Sequence, residues 1–317
     1  MLAPEDIGKN LKKWQNKPVA GVIDGILQRL CKKLRQRLDA LEKGQDPEAL
    51  HDARVEIKRL RVWLKHSRPV LKTRKEGRKM LKAFTQASNP LRDLEVMLAW
   101  LEHLEVNSNH APGVKDVINT TQREILTLRE QVLSIARQLQ SDSVVLEPKP
   151  RKSASGYRFG VWLSDRISEH LQSLLHDFET LPEGLHEARL TGKHLRYLIE
   201  PLKGHPLADE AISQLKDMQE VLGTAHDKFA MRERLPQLFS NTLATVGFEA
   251  IRSQIADGQA LNWREPACWP GMRYIVDCLN RDQRADEQAV IEWRDANLQE
   301  LSERLTALRT ALVDLSD

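Results

Sequence analysis

One segment of this chain is written twice. HDARVEIKRLR (His51 to Arg61) returns 135 residues later as HEARLTGKHLR (His186 to Arg196). Each copy places basic residues three, seven and ten positions after its histidine: His51, Arg54, Lys58, Arg61 and His186, Arg189, Lys193, Arg196. On a helix turning about 100° per residue, these positions fall within an arc of roughly 80° and form a stripe about 15 Å long. Apolar residues take another face in both copies: Ala53, Ile57, Leu60 and Leu64, then Ala188, Leu195 and Ile199. Like charges three and four residues apart repel, so such a row opposes formation of an isolated helix. Written twice, it points to an anion lying across it rather than to a solvated charged face.

The likeness extends beyond the stripes. Leu81 and Lys82 align with Leu215 and Lys216 at an offset of 134, and the same offset aligns NPLRD (Asn89 to Asp93) with GTAHD (Gly223 to Asp227). A period this long indicates an internal duplication, not a many-repeat solenoid. The expected fold is all-α: two pseudo-twofold-related antiparallel helical bundles forming one compact body. The first half is placed at 1–145 and the second, with acidic C-terminal helices, at 146–317. The boundary falls in SDSVVLEPKPRKSASG (Ser141 to Gly156), the clearest linker, rich in Pro, Ser and Lys. A pseudo-twofold axis would bring the two stripes to one shared surface, which Lys65, Lys82 and Lys216 would widen. Asp93 and Asp227 are expected to cap helices at matching turns.

The doubled H-x-x-R-x-x-x-K-x-x-R segments, each followed by an Asp-containing turn, resemble the CHAD family, the conserved-histidine α-helical domain. LRY at Leu195 to Tyr197 and RDLEV at Arg92 to Val96 belong to the same resemblance, which runs from about Val19 into the last helix. It implies two antiparallel helical bundles with a basic surface that binds inorganic polyphosphate. It also implies attachment to polyphosphate bodies, or recruitment of a polyphosphate-metabolising enzyme or granule protein. Many relatives carry an adjoining triphosphate-processing domain of the CYTH type, whereas this chain is expected to hold the helical module alone. The departures from the pattern are Thr191 and Gly192 inside the second motif, and His226 where Arg92 stands in the first half.

A net charge of +3 hides an uneven distribution. Twelve basic residues lie between Arg54 and Lys82, opposed only by Glu56 and Glu76. Beyond Asn280 the sign reverses, through Asp282, Asp286, Glu287, Glu292, Asp295, Glu300 and Glu303. The local field, not the net charge, steers an anion. Cys31, Cys268 and Cys278 are scattered and odd in number, which speaks against a disulfide framework or zinc ribbon and suits a reducing compartment. No signal peptide and no membrane-spanning run is visible, so the expected location is cytoplasmic, at polyphosphate granules where these exist.

Helix signals follow one another along the chain. The spacing predicts helices over 18–41, from Asp46-Pro47 to Pro69, over 73–88, from Leu91 to 104, and from Pro112 to 140. In the second half they fall over 159–178, 182–200, 207–222 and 228–238, with one or two more between Met272 and Val313. Asn89-Pro90 reads as a break or a helix start, and Ala256 to Pro270 as a loop. Val144 to Leu146 is the one strand-like run, too short to seed a sheet.

The arginines of the stripes offer planar forks that match phosphate oxygens, and the lysines act as point charges. His51 and His186 are candidate phosphate contacts. Neither has a His or carboxylate four residues on, and His176, His205 and His226 are dispersed, so no metal site and no cofactor is expected. Asp52, Glu56 and Glu187 lie off the basic arc, where phosphoryl transfer would want a metal held beside the anion. The expectation is therefore a binding module and not an enzyme. The seven tryptophans are not interleaved with the stripes as a base-stacking platform requires. A nucleic-acid-binding helical protein is the alternative, with polyphosphate processing behind it.

Overall fold

A computed structural model describes residues 7–43, 48–141, 146–258 and 266–314. The described chain is helical apart from one short two-stranded sheet. Its helices are α1 (Leu11–Gln15), α2 (Val19–Lys43), α3 (Ala49–His66), α4 (Lys75–Glu102), α5 (Ala111–Ser141), α6 (Phe159–Glu179), α7 (Leu185–Ile199), α8 (Pro206–Ala256) and α9 (Trp269–Val313). Strands β1 (Leu71–Lys72) and β2 (Lys149–Pro150) pair antiparallel, Leu71 opposite Pro150. The expected linker is thus partly ordered as a strand and a following 3-10 turn at Lys152–Ala154. Val144 lies outside the described residues, as does the cap expected at Asp46-Pro47.

The all-α class is borne out, and the motif helices begin and end close to where the pattern places them. The differences lie in the long helices. Where two helices and a break at Asn89-Pro90 were expected, α4 runs unbroken with Pro90 inside it. Likewise α8 is one helix of 51 residues containing Pro236, and α9 one of 45. A proline inside a helix removes one backbone hydrogen bond and crowds the carbonyl four residues back. Both prolines point their rings to solvent, and the apolar residues around them keep their helical spacing, so packing holds the helix through the defect.

Two compact units emerge from the contacts, and each draws on both sequence halves. The first comprises the chain through Gln86, Leu133–Gly223 and the chain from Ala289; the second comprises Ala87–Val132 and Thr224–Gln288. The division therefore falls inside α4, one turn before Pro90, and inside α8 at Gly223, within or beside the two aligned segments NPLRD and GTAHD.

In the first unit, α2 packs on α3 and α6 on α7, and α3 packs on α7. Leu60 and Ile57 of α3 and Leu195 and Leu198 of α7 are sealed from solvent, each contributing about 2 kcal/mol. Trp63 of α3 stacks on Trp162 of α6 at 5.9 Å between ring centres, and Phe178 stacks on Trp293 of α9. Gly192 has a packing reason: a Cβ there would lie 2.0 Å from the Met218 methyl, so the missing side chain lets α8 approach α7. Its neighbour Thr191 donates to the Asp177 carboxylate of α6 at 3.0 Å. These two departures from the basic motif serve helix packing.

The second unit has its own core, in which Met97, Leu101, Val114 and Val117 meet Leu235, Leu238, Met272, Ile275 and Leu279. Gly113 and Cys268 touch backbone to backbone here; a Cβ on Gly113 would sit 2.2 Å from the Cys268 carbonyl oxygen. The acidic run after Asn280 supplies contacts to other helices. Asp282 accepts from Trp100 Nε1 at 2.8 Å, and Asp286 lies 3.7 Å from Lys228 Nζ. Burial pushes the Asp286 carboxyl upward, opposed by Lys228.

Candidate anion site on the motif helices

All four residues of each basic stripe lie on one helix, His51 to Arg61 on α3 and His186 to Arg196 on α7. The helices run antiparallel where they touch. Arg59 meets Glu200, Trp63 Nε1 donates to the Tyr197 carbonyl oxygen at 3.1 Å, and His66 faces His194. As the α3 number rises the partner's number falls in step, so the two motif helices meet through their C-terminal turns.

The stripes are graded in exposure. His51, Lys65, His186, Lys82 and Lys216 are exposed; Lys58, Arg61, Arg189, Lys193 and Arg196 are half-buried; Arg54 is buried at 7 %. Arg61 makes no hydrogen bond or ion pair to any described residue, and burial alone lowers its pKa. It is a partly desolvated guanidinium without a counter-charge on the stripe. Arg196 differs, because Glu200 lies 3.4 Å from it and its guanidinium stands 4.8 Å above the Tyr197 ring.

Next to the crossing lies a charged cleft of about 260 Å³, lined by Arg29 and Lys33 of α2, Glu56 and Arg59 of α3, and Tyr197, Glu200 and Lys203. Arg59 was not among the expected site residues, and it organises this cleft. Its Nε donates to Glu200 at 2.7 Å and its Nη1 to Glu56 at 2.8 Å. Desolvation would lower its pKa, but the hydrogen bond and charge of Glu200, with the charge of Glu56, outweigh it and hold the group above its usual value. Burial raises the Tyr197 hydroxyl as well.

Further along the same contact three histidines converge: His66 at the end of α3, His170 of α6 and His194 of α7. Their ring centres lie 4.7, 5.3 and 5.4 Å apart, and the rings stand at 72–87° to one another. His66 Nε2 and His170 Nε2 are 3.2 Å apart. Burial is the first cause that lowers all three pKa values, to about 3 for His66 and about 4 for the others; Lys65 adds to it at each, and Arg166 at His66 and His170. All three rings are neutral at pH 7. The histidines named from the sequence as dispersed, His176, His205 and His226, lie outside this cluster, whose three members the sequence reading did not single out. The sequence signal available was the change within the repeat from Arg59 to His194, at the shared offset of 135.

The described chain is thus a helical domain in which two motif helices of the same pattern meet at their C-terminal turns. The chain belongs to the CHAD domain family, whose sequence pattern matches residues 25–236. It is also similar in structure to the CHAD domain from the plant Ricinus communis, with a TM-score of 0.58 at 18 % identity, covering 92 % of this chain and 93 % of that one. No curated protein matches the chain. No helix among the described residues is long and apolar enough to cross a membrane.

Proposed function

We propose that the chain is a binding module for inorganic polyphosphate, acting through the basic faces of α3 and α7 in the cytoplasm, where it targets polyphosphate bodies or recruits polyphosphate enzymes. Membership of the CHAD family supports this reading. The observation that carries it is the antiparallel contact of the two motif helices, which sets two stripes of the same design on adjoining elements. Arg61, Lys65, Lys82 and Lys216 make no hydrogen bond or ion pair to any described residue, so their charge is available to an anion. The repeated order of a helix pair followed by two long helices supports the division into halves 1–145 and 146–317 by duplication.

Binding is favoured over catalysis by the state of the motif carboxylates. Asp52 is 3.1 Å from Arg37, and Glu56 and Glu200 are held by Arg59. Carboxylates so engaged are poor holders of the metal that phosphoryl transfer would use beside a polyanion.

The test is a titration with long-chain polyphosphate at physiological salt, with excess duplex DNA as competitor. Binding that survives the DNA is expected; binding erased by it would move the protein to the nucleic-acid class. Polyanion binding releases counterions, so affinity should fall steeply with salt. Replacing Arg61, Lys82 and Lys216 together with Gln should reduce the magnitude of the log–log salt slope by about 3, roughly one per lost contact, with the fold intact by circular dichroism. An unchanged slope would remove the stripe surface as the site.

A further inference from the structure

We infer that His66, His170 and His194 form a binding site for a divalent transition metal of the zinc class, with an open fourth position. This goes beyond the polyphosphate reading and does not rest on it. The three ligand nitrogens lie within 4.8 Å of one another on three different helices. A tetrahedral ion with metal–nitrogen bonds of about 2.0–2.1 Å sets its ligand nitrogens about 3.3 Å apart and the ring centres roughly 5 Å apart. The 3.2 Å nitrogen separation of His66 and His170 and the ring-centre distances of 4.7–5.4 Å meet that requirement before any ion is present, and the His194 nitrogen, within 4.8 Å of the others, reaches it by closing in by at most about 1.5 Å. The near-perpendicular rings leave the centre of the cluster free of stacked faces.

Without a metal, the close pair can share one N–H···N hydrogen bond, which requires one ring to donate and the other to accept. A metal asks instead for a lone pair from each ring, and neutral imidazoles supply it by exchanging tautomers, with no proton to displace into solvent. Three neutral nitrogens and no carboxylate in the set select zinc, copper, nickel or cobalt over magnesium or calcium. The surrounding charges choose the fourth ligand. Lys65 and Arg166 are close enough to act electrostatically on the cluster. They oppose a bare dication and complement an anionic fourth ligand, such as hydroxide or a phosphate oxygen. The site thus resembles, in its donor set, a three-histidine centre with room for an exogenous ligand.

The experiment is a titration of the tag-free full chain with Co²⁺, followed by visible absorption and by competition with Zn²⁺. One equivalent of Co²⁺ giving the intense bands of four-coordinate cobalt, displaced by Zn²⁺, is expected. No saturable binding at micromolar metal, or only the faint bands of six-coordinate cobalt, would overturn the inference, and that result needs no variant. His170→Ala should weaken binding by at least about 100-fold and abolish the four-coordinate bands. His176→Ala, which alters an exposed histidine beside Glu179, should change nothing. Equal binding by wild type and folded His170→Ala would also overturn it.

Discussion

Lowering the pH from 7 to 5 in the presence of a chelator will remove several kcal/mol of stability, and the three-histidine cluster will account for most of the loss. In the unfolded chain each imidazole takes up a proton near pH 6.5; in the folded chain His66 refuses it until about pH 3 and His170 and His194 until about pH 4. Between pH 6.5 and 4 the unfolded state therefore binds more protons, and stability falls as the pH falls. Each group contributes about 1.4 kcal/mol per pH unit in that window. At pH 5 the sum reaches at most about 6 kcal/mol, against a total domain stability on the order of 5–15 kcal/mol. Asp286 and Asp116, whose carboxyls burial holds above their usual range, contribute in the opposite sense and blunt the effect toward pH 4. Urea unfolding at pH 7, 6 and 5 measures it. His194→Gln should flatten the slope by about one proton, and a slope identical to that of wild type would remove the cluster as the cause.

The charge pattern was enough to locate α3 and α7 and to place every stripe residue on them, because helical period and the repeated motif are both read along the chain. What period could not supply was the continuity of α4 and α8. Pro90 is read from sequence as a breaker, since its cost is local; the burial of Leu91 and Leu94 that outweighs it is tertiary. The grading within the stripe was hidden for a like reason. Arg54 and Lys65 share one arc, yet one is buried and the other exposed, and neighbouring helices decide which. The histidine cluster is harder still. Its members come from three helices and share no local spacing, so only the crossing of α3, α6 and α7 brings them together. The repeated motif hinted at it, since position 59 is Arg in one copy and the matching position 194 is His in the other. One end of the α3–α7 contact carries an arginine–carboxylate cluster and the other a set of neutral imidazoles.

Glu200→Gln will destabilise the protein by about 3 kcal/mol, while Arg59→Met will cost clearly less. Among the described residues Glu200 is the one carboxylate that both Arg59 and Arg196 reach, at 2.7 and 3.4 Å, and its side chain is only 13 % exposed. Removing its charge leaves two partly buried guanidiniums beside the Tyr197 ring, with Glu56 alone among the described residues remaining to hold Arg59. Stranding a buried charge costs more than the pair contributed, because the desolvation already suffered is no longer offset. Removing Arg59 instead leaves Glu200 still paired with Arg196, and methionine refills much of the apolar stem volume. Chemical denaturation of the two variants gives the ordering directly, and equal losses would contradict it. The same substitution separates structure from binding. Glu200 neutralises a stripe residue, Arg196, so Glu200→Gln should bind polyphosphate at least as tightly as wild type while folding less stably. A parallel fall in affinity and stability would mean that the cleft, and not the open stripe, holds the polyanion.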